Sequence, residues 1–188
     1  MHHGKTTALM LCALFTAMIS VSAFIRIPTP LVPITLQSGI VLLTGLLLGP
    51  KYGSISVLLY VLLGLCGVPV FTMGGGFGYV FQPTFGYLIG FILGAYITGK
   101  LAQFRANIGD KQLLAAIFCG LVIIYVVGTI YCYLISTFVL GTELAFLPLF
   151  VSCILLPLPG DVVLCILIWI LGKRLRPHIK NMYCRLLG

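Results

Sequence analysis

The sequence predicts an all-α membrane protein, a compact six-transmembrane-helix bundle with a short interfacial or re-entrant helix before the last span. Three observations predict it. Across 188 residues there are only eleven basic and three acidic side chains, while 61% of residues are hydrophobic and the mean hydropathy is +1.20. Lys51 and Lys100 enclose 48 uncharged residues, and Lys111 and Glu143 enclose 31. A hydrocarbon core about 30 Å thick takes roughly 20 apolar residues per helix, so the first stretch holds two spans and the second holds one. The apolar runs are continuous rather than alternating, which excludes a membrane β-barrel. Finally, the basic residues sort to one side once the spans are drawn.

Helix 1 is expected over about Thr6 to Ile25. The loop Arg26 to Gln37 carries Pro28, Pro30 and Pro33, which remove backbone donors and force extended chain. Helix 2 runs from Ile34 or Gln37 to Gly49 and is ended by Pro50-Lys51, and helix 3 covers about Tyr52 to Gly67. A glycine-rich loop, Val68 to Tyr79, contains Gly74-Gly75-Gly76. Pro83 then stands where proline best opens a helix, and helix 4 reaches about Leu101. Gln103 to Asp110 is a polar linker, and helix 5 covers about Lys111 to Leu140. Leu144 to Leu156 reads as the short interfacial or re-entrant helix. Pro157-Leu158-Pro159-Gly160-Asp161 breaks it, and helix 6 continues to about Leu175.

With six spans both termini share one side. That side holds Lys5, Lys51, Lys100, Arg105, Lys111 and the tail residues Lys173, Arg174, Arg176, Lys180 and Arg185; the other holds Arg26. Lys and Arg stay in cytoplasmic loops, so both termini are expected in the cytoplasm. The expected organisation is a single domain over residues 1–188, with residues 173–188 as a basic cytoplasmic tail. The net charge of +8 thus records orientation; basic patches interleaved with aromatics, which would point to nucleic acid, are absent. A competing reading of the N-terminus takes Lys5, the run Ala8 to Ile19 and Val21-Ser22-Ala23 as a secretory signal. Retaining the segment agrees with the other basic loops.

No enzyme is legible. His2, His3 and His178 lie towards the chain ends, no motif pairs two carboxylates, and seven cysteines include no C-x-x-C pair, so no metal site is expected. Gly4-Lys5-Thr6 imitates the end of a phosphate-binding loop, but the glycine that motif needs would precede the chain. Asp161 is the most informative polar group, because an acidic residue within a span costs roughly 2.5–3.5 kcal/mol on insertion scales and usually marks function. The alternative role is capping the helix that begins there. Glycines at 74 to 76 let main-chain N–H groups approach an anion, or simply make a tight turn. Gly86, Gly90 and Gly94, like Gly45 and Gly49, form small-residue seams for helix packing. Ala13 and Ala17 form another on helix 1, facing either the bundle or a partner protein.

The run Pro28-Thr29-Pro30-Leu31-Val32-Pro33-Ile34-Thr35-Leu36-Gln37 resembles the BioY family, biotin-binding S components of energy-coupling factor (ECF) transporters. The resemblance continues through Gly45-Leu46-Leu47-Leu48-Gly49, Lys51-Tyr52-Gly53, Gly67-Val68-Pro69-Val70-Phe71 with the glycine cluster, Pro83 to Phe91, and Pro159-Gly160-Asp161. It implies a plasma-membrane protein of bacteria that captures biotin on its extracytoplasmic face in a pocket roofed by the helix 1–2 and helix 3–4 loops. It also implies a membrane-embedded coupling protein (the T component) docked on Ala13 and Ala17, and partner ATPases that use ATP, with no cofactor on this chain. An S component for another small vitamin or precursor is the alternative. For biotin, Asp161 would accept from ureido N–H, and Thr35, Gln37, Gln82, Thr84, Tyr79 and Tyr87 are further polar partners. Phe71, Phe77 and Tyr79 would cover the thioether ring. The glycine-loop N–H groups of Gly75 and Gly76, helped by Arg26, would hold the valerate carboxylate. Two departures stand out: Leu164 occupies the place of a common family Lys, and no Asn precedes Asn107.

Overall fold

The computed structural model describes residues 2–29, 32–103, 109–141 and 146–187. Helix α1 (His2–Ser22) leads into strands β1 (Arg26–Ile27) and β2 (Ile34–Thr35), followed by α2 (Gln37–Leu65), a 3-10 turn (Phe77–Phe81), α3 (Phe85–Gln103) and α4 (Asp110–Phe138). A short α5 (Phe146–Phe150) runs into a π-helical turn (Val151–Leu155), and α6 covers Leu158–Leu187. Four helical stretches among the described residues are long and apolar enough to cross a membrane, Gln37–Leu65, Phe85–Ala102, Asp110–Phe138 and Leu147–Leu175; Thr6–Ser22 is apolar but shorter. The surface they present is apolar, with Leu58, Leu62, Val122, Val126, Ile130, Val163 and Leu167 all exposed. Such a surface belongs in lipid, and the chain is a multi-pass membrane protein.

Helix α2 is not one rod. Gly49 has φ 75 and ψ −177 inside it, next to Pro50, and the chain folds back there. A Cβ on Gly53 would lie 2.9 Å from the Gly45 Cα, and the Gln37 side chain reaches Tyr60; neither contact is possible along a straight helix, where eight residues rise about 12 Å. The expected break between helices 2 and 3 is therefore a hairpin, tightest at a glycine in the left-handed region. Its arms are only about 18 and 24 Å long at 1.5 Å per residue.

Segments consecutive in the chain alternate in direction, while several that pack together run parallel. Cys12 and Thr16 of α1 bond the carbonyls of Tyr52 and Ser56, so α1 runs parallel to the second arm of α2. The small-residue seams are internal: Cβ atoms at Gly86, Gly90 and Gly94 would strike Tyr131 and Ile124 of α4, and one at Gly45 would lie 2.3 Å from the Ala95 carbonyl oxygen of α3. Ala13 and Ala17, by contrast, face outward. At one end of the bundle Gly99 abuts Pro50, and Lys173 pairs with Asp110 while the Trp169 indole donates to the Asp110 carbonyl. Lys51, Lys100 and Lys111 lie at that same end, and Arg26 lies at the other. The last helix continues to Leu187, so the expected tail from 173 is helical backbone. Residues 104–108 of the polar linker Gln103 to Asp110, and residues 142–145 with the expected start of the short helix at Leu144, lie outside the described residues.

Candidate functional site

At the Arg26 end the elements surround a half-open cavity of about 50 Å³. Val32, Pro33, Ile34 and Thr35 line it from the first roof loop, and Gln37 and Ser38 from the first turn of α2. Thr72 and Tyr79 come from the second roof loop. Thr84, Tyr87, Leu88 and Phe91 come from the start of α3, Ile124 and Tyr125 from α4, and Pro157 and Asp161 from the entry to α6.

The roof has two parts. In the first, Arg26 pairs with Thr35 and Ile27 with Ile34 in an antiparallel ladder, which Pro33 tolerates because the ladder is only two residues long. In the second, Gly67, Gly74 and Gly76 all take positive φ, and the chain turns so tightly that Phe71 bridges Gly74. Phe71 is buried over Gly64, where a Cβ would collide with its ring at 2.1 Å. It meets Tyr60 edge-on at 5.4 Å and Tyr79 at 4.5 Å. Tyr79 then anchors a hydroxyl chain, 2.9 Å from Thr72 Oγ1 and accepting from Thr84 at 3.1 Å. The Arg26 guanidinium donates to the Thr72 carbonyl and ties the two roof loops together.

Asp161 is the charged group lining the cavity among the described residues, and it is only 6% exposed. Ser38 Oγ donates to Oδ1 at 2.5 Å, and Tyr125 Oη donates to Oδ2 at 2.6 Å. Capping of α6 is not its role: the helix opens at Leu158, and the carboxylate holds hydroxyls from α2 and α4 instead. An ionised carboxylate offers about four lone-pair sites, so two remain for a ligand. Gln37, 3% exposed, gives its amide N–H to Tyr60 at 2.7 Å, and Tyr60 donates to the Val70 carbonyl at 3.2 Å. Tyr87 donates to the Cys153 carbonyl at 2.9 Å, in the π-helical turn that leads to Asp161. Leu88, Phe91 and Ile124 make an apolar floor.

Of the residues singled out from sequence, Asp161, Thr35, Gln37, Tyr79, Thr84 and Tyr87 come together around this cavity. Gly75, Gly76 and Phe77 are not among its lining residues, and Phe77 is 73% exposed. The Gly76 N–H bonds the Gly64 carbonyl at 2.7 Å and the Gly74 N–H bonds the Phe71 carbonyl at 3.2 Å, so the expected anion nest spends those donors on holding its own turn. Gln82 is exposed and off the lining as well. Arg26 sits on the rim through Thr72. Ser38 and Tyr125 went unnoticed in the sequence. Ser38 adjoins the proline motif, but Tyr125 lies mid-way along an apolar helix, where only its polarity marks it. Leu164, in place of a cation, packs against Gly39 at 3.4 Å for an added Cβ and stands outside the cavity.

Known proteins resemble this chain in sequence and fold. The chain is 50% identical over 123 residues to a probable biotin transporter BioY of Lysinibacillus sphaericus, covering 65% of this chain and 63% of that one. It is 36% identical over 181 residues to the biotin transporter BioY of Rhizobium etli, covering 90% and 92%. Among solved structures, the crystal structure of the S-component for biotin from an ECF-type ABC transporter superposes with a TM-score of 0.80 at 30% identity, covering 94% of each chain. The BioY family model matches residues 1–181, and the chain belongs to the BioY family.

Proposed function

We propose that this chain captures biotin from the extracytoplasmic side and delivers it across the membrane as the substrate-binding subunit of an ECF-type transporter. The observation that carries the reading is the buried Asp161 carboxylate, held by two hydroxyls in a half-open cavity with an apolar floor. A cyclic urea presents two N–H donors to the two lone-pair sites left on it. Its fused thioether ring needs an apolar bed, which Leu88, Phe91 and Ile124 supply. Tyr125→Phe removes one charge-assisted hydrogen bond from the carboxylate, and such bonds contribute about 1.5–3 kcal/mol. Biotin affinity, measured by calorimetry on purified protein, is therefore expected to fall roughly tenfold. Unchanged affinity would remove Tyr125 from the recognition device.

In the bilayer the chain crosses six times, with the arms of α2 counted as two short spans. Their length leaves Gln37 and Ser38 recessed below the outer surface, which is how a cup forms within the membrane thickness. The basic end faces the cytoplasm with both termini, and the cavity opens outward. Cys66 is exposed near the cavity end of α2. A membrane-impermeant maleimide added to intact cells is expected to label Cys66. A cysteine placed at Lys111 in a background with Cys66 and Cys184 replaced by Ser should react only after permeabilisation. The opposite pattern inverts the orientation.

The energy comes from outside this chain. The outward-facing Ala13 and Ala17 give a coupling protein (T component) a smooth surface for close helix approach, flanked by lipid, and partner ATPases drive the cycle. The chain binds no cofactor itself. Arg26 stands at the rim with its guanidinium on the Thr72 carbonyl, beside the mouth through which the tail of biotin leaves the cavity.

A further inference from the structure

Among the described residues, the cavity is lined by one acid and no cation. Asp161 sits inside it, and its partners are neutral hydroxyls. Arg26 is exposed on the rim, with its guanidinium on a backbone carbonyl. Leu164, one turn beyond Asp161 on α6, packs against Gly39 and brings no charge. Free biotin, however, is an anion. A second negative charge held roughly 7 Å from Asp161, at an effective dielectric of about 20, is repelled enough to weaken binding roughly 50-fold. Nor does the floor accept it, because Leu88, Phe91 and Ile124 offer no donor to a carboxylate. With the urea on Asp161, the tail has one direction left, outward past Thr35 and Thr72.

From this charge distribution we infer that the site recognises the bicyclic head alone and leaves the tail carboxyl at the water-facing mouth. Its ligand class then includes biotin joined through its carboxyl as a neutral amide. The inference rests on the biotin reading and narrows it, since a pocket built to grip the tail anion would reject such amides. A buried site made to hydrogen-bond one group discriminates steeply against ligands that lack it. Here that group is the cyclic urea, which amides of the tail keep intact. The captured compounds would include biotinyl-lysine, the amide that proteolysis of biotin-bearing proteins releases.

The test is competition against labelled biotin on the purified full chain, using unlabelled biotin, biotinamide and biotinyl-lysine. Biotinamide is expected to compete within about threefold of biotin. Leu164→Lys puts a cation one helical turn from Asp161 and is expected to shift the biotin-to-biotinamide preference at least fivefold towards the free acid. Biotin bound tightly while biotinamide competes more than about 30-fold more weakly overturns the inference and leaves the biotin reading intact. A preference that Leu164→Lys does not move removes its electrostatic basis; if that variant does not fold, the wild-type comparison decides alone. No specific binding of labelled biotin at all defeats both readings together.

Discussion

Asp161→Ala is expected to weaken biotin binding about a hundredfold while the ligand-free protein stays at least as heat-stable as before. The two halves of that expectation have separate causes. In the complex, removing the carboxylate leaves ureido N–H groups facing an apolar wall, and a buried donor without a partner at a formerly charged site costs about 3 kcal/mol, roughly a hundredfold in affinity. In the empty protein the same carboxylate is a buried charge, held by the neutral hydroxyls of Ser38 and Tyr125 with no counter-ion among the described residues. A lone buried charge costs several kcal/mol, which outweighs the cost of about 1–3 kcal/mol for leaving a hydroxyl without its acceptor. Affinity and thermal unfolding measured on one detergent preparation check both. A loss of affinity together with a collapse in stability would instead make Asp161 a structural tie between α2, α4 and α6. Retained affinity would move the ligand elsewhere.

How far the sequence alone reveals this molecule depends on the range of the contact involved. The sorted charges and long uncharged runs are properties of composition, so the all-helical membrane class and the gathering of Lys51, Lys100 and Lys111 at one end of the bundle are legible. The reversal at Gly49 is legible too, because Gly-Pro is local chemistry. Asp161 stands out since a charge in an apolar run has few bland explanations. Tyr125 does not, because its role exists only when α4 is set beside α6, 36 residues on. The glycine loop misleads for a related reason. Gly74 to Gly76 look available to an anion until the Gly64 carbonyl, brought over by the end of α2, is seen to take the Gly76 N–H. Phe77 misleads likewise, as an aromatic beside the cavity turns out to point away from it.

The second large effect lies away from the ligand. Gly45→Ala is expected to destabilise the bundle by about 3 kcal/mol, the upper part of the range for overpacking a close-packed interior, read as a clear drop in the unfolding temperature of the purified protein. An added methyl would sit 2.3 Å from the Ala95 carbonyl oxygen and 2.9 Å from its Cα, and both atoms belong to the backbone of α3. A side chain could rotate away; a helix backbone moves only as a body. Shifting α3 disturbs the contact of Gly99 with Pro50 and, at its other end, the positions of Thr84 and Tyr87 in the cavity wall. Biotin affinity should therefore fall along with stability, in contrast to Asp161→Ala, where the two separate. Gly78→Ala is the matched control: an added methyl there meets nothing within 4 Å, and its φ is not positive, so stability should hold or rise by a few tenths of a kcal/mol. Equal stability of Gly45→Ala and Gly78→Ala would mean that the first arm of α2 is not wedged against α3, and the cavity wall would then lack the rigid support that holds Ser38 against Asp161.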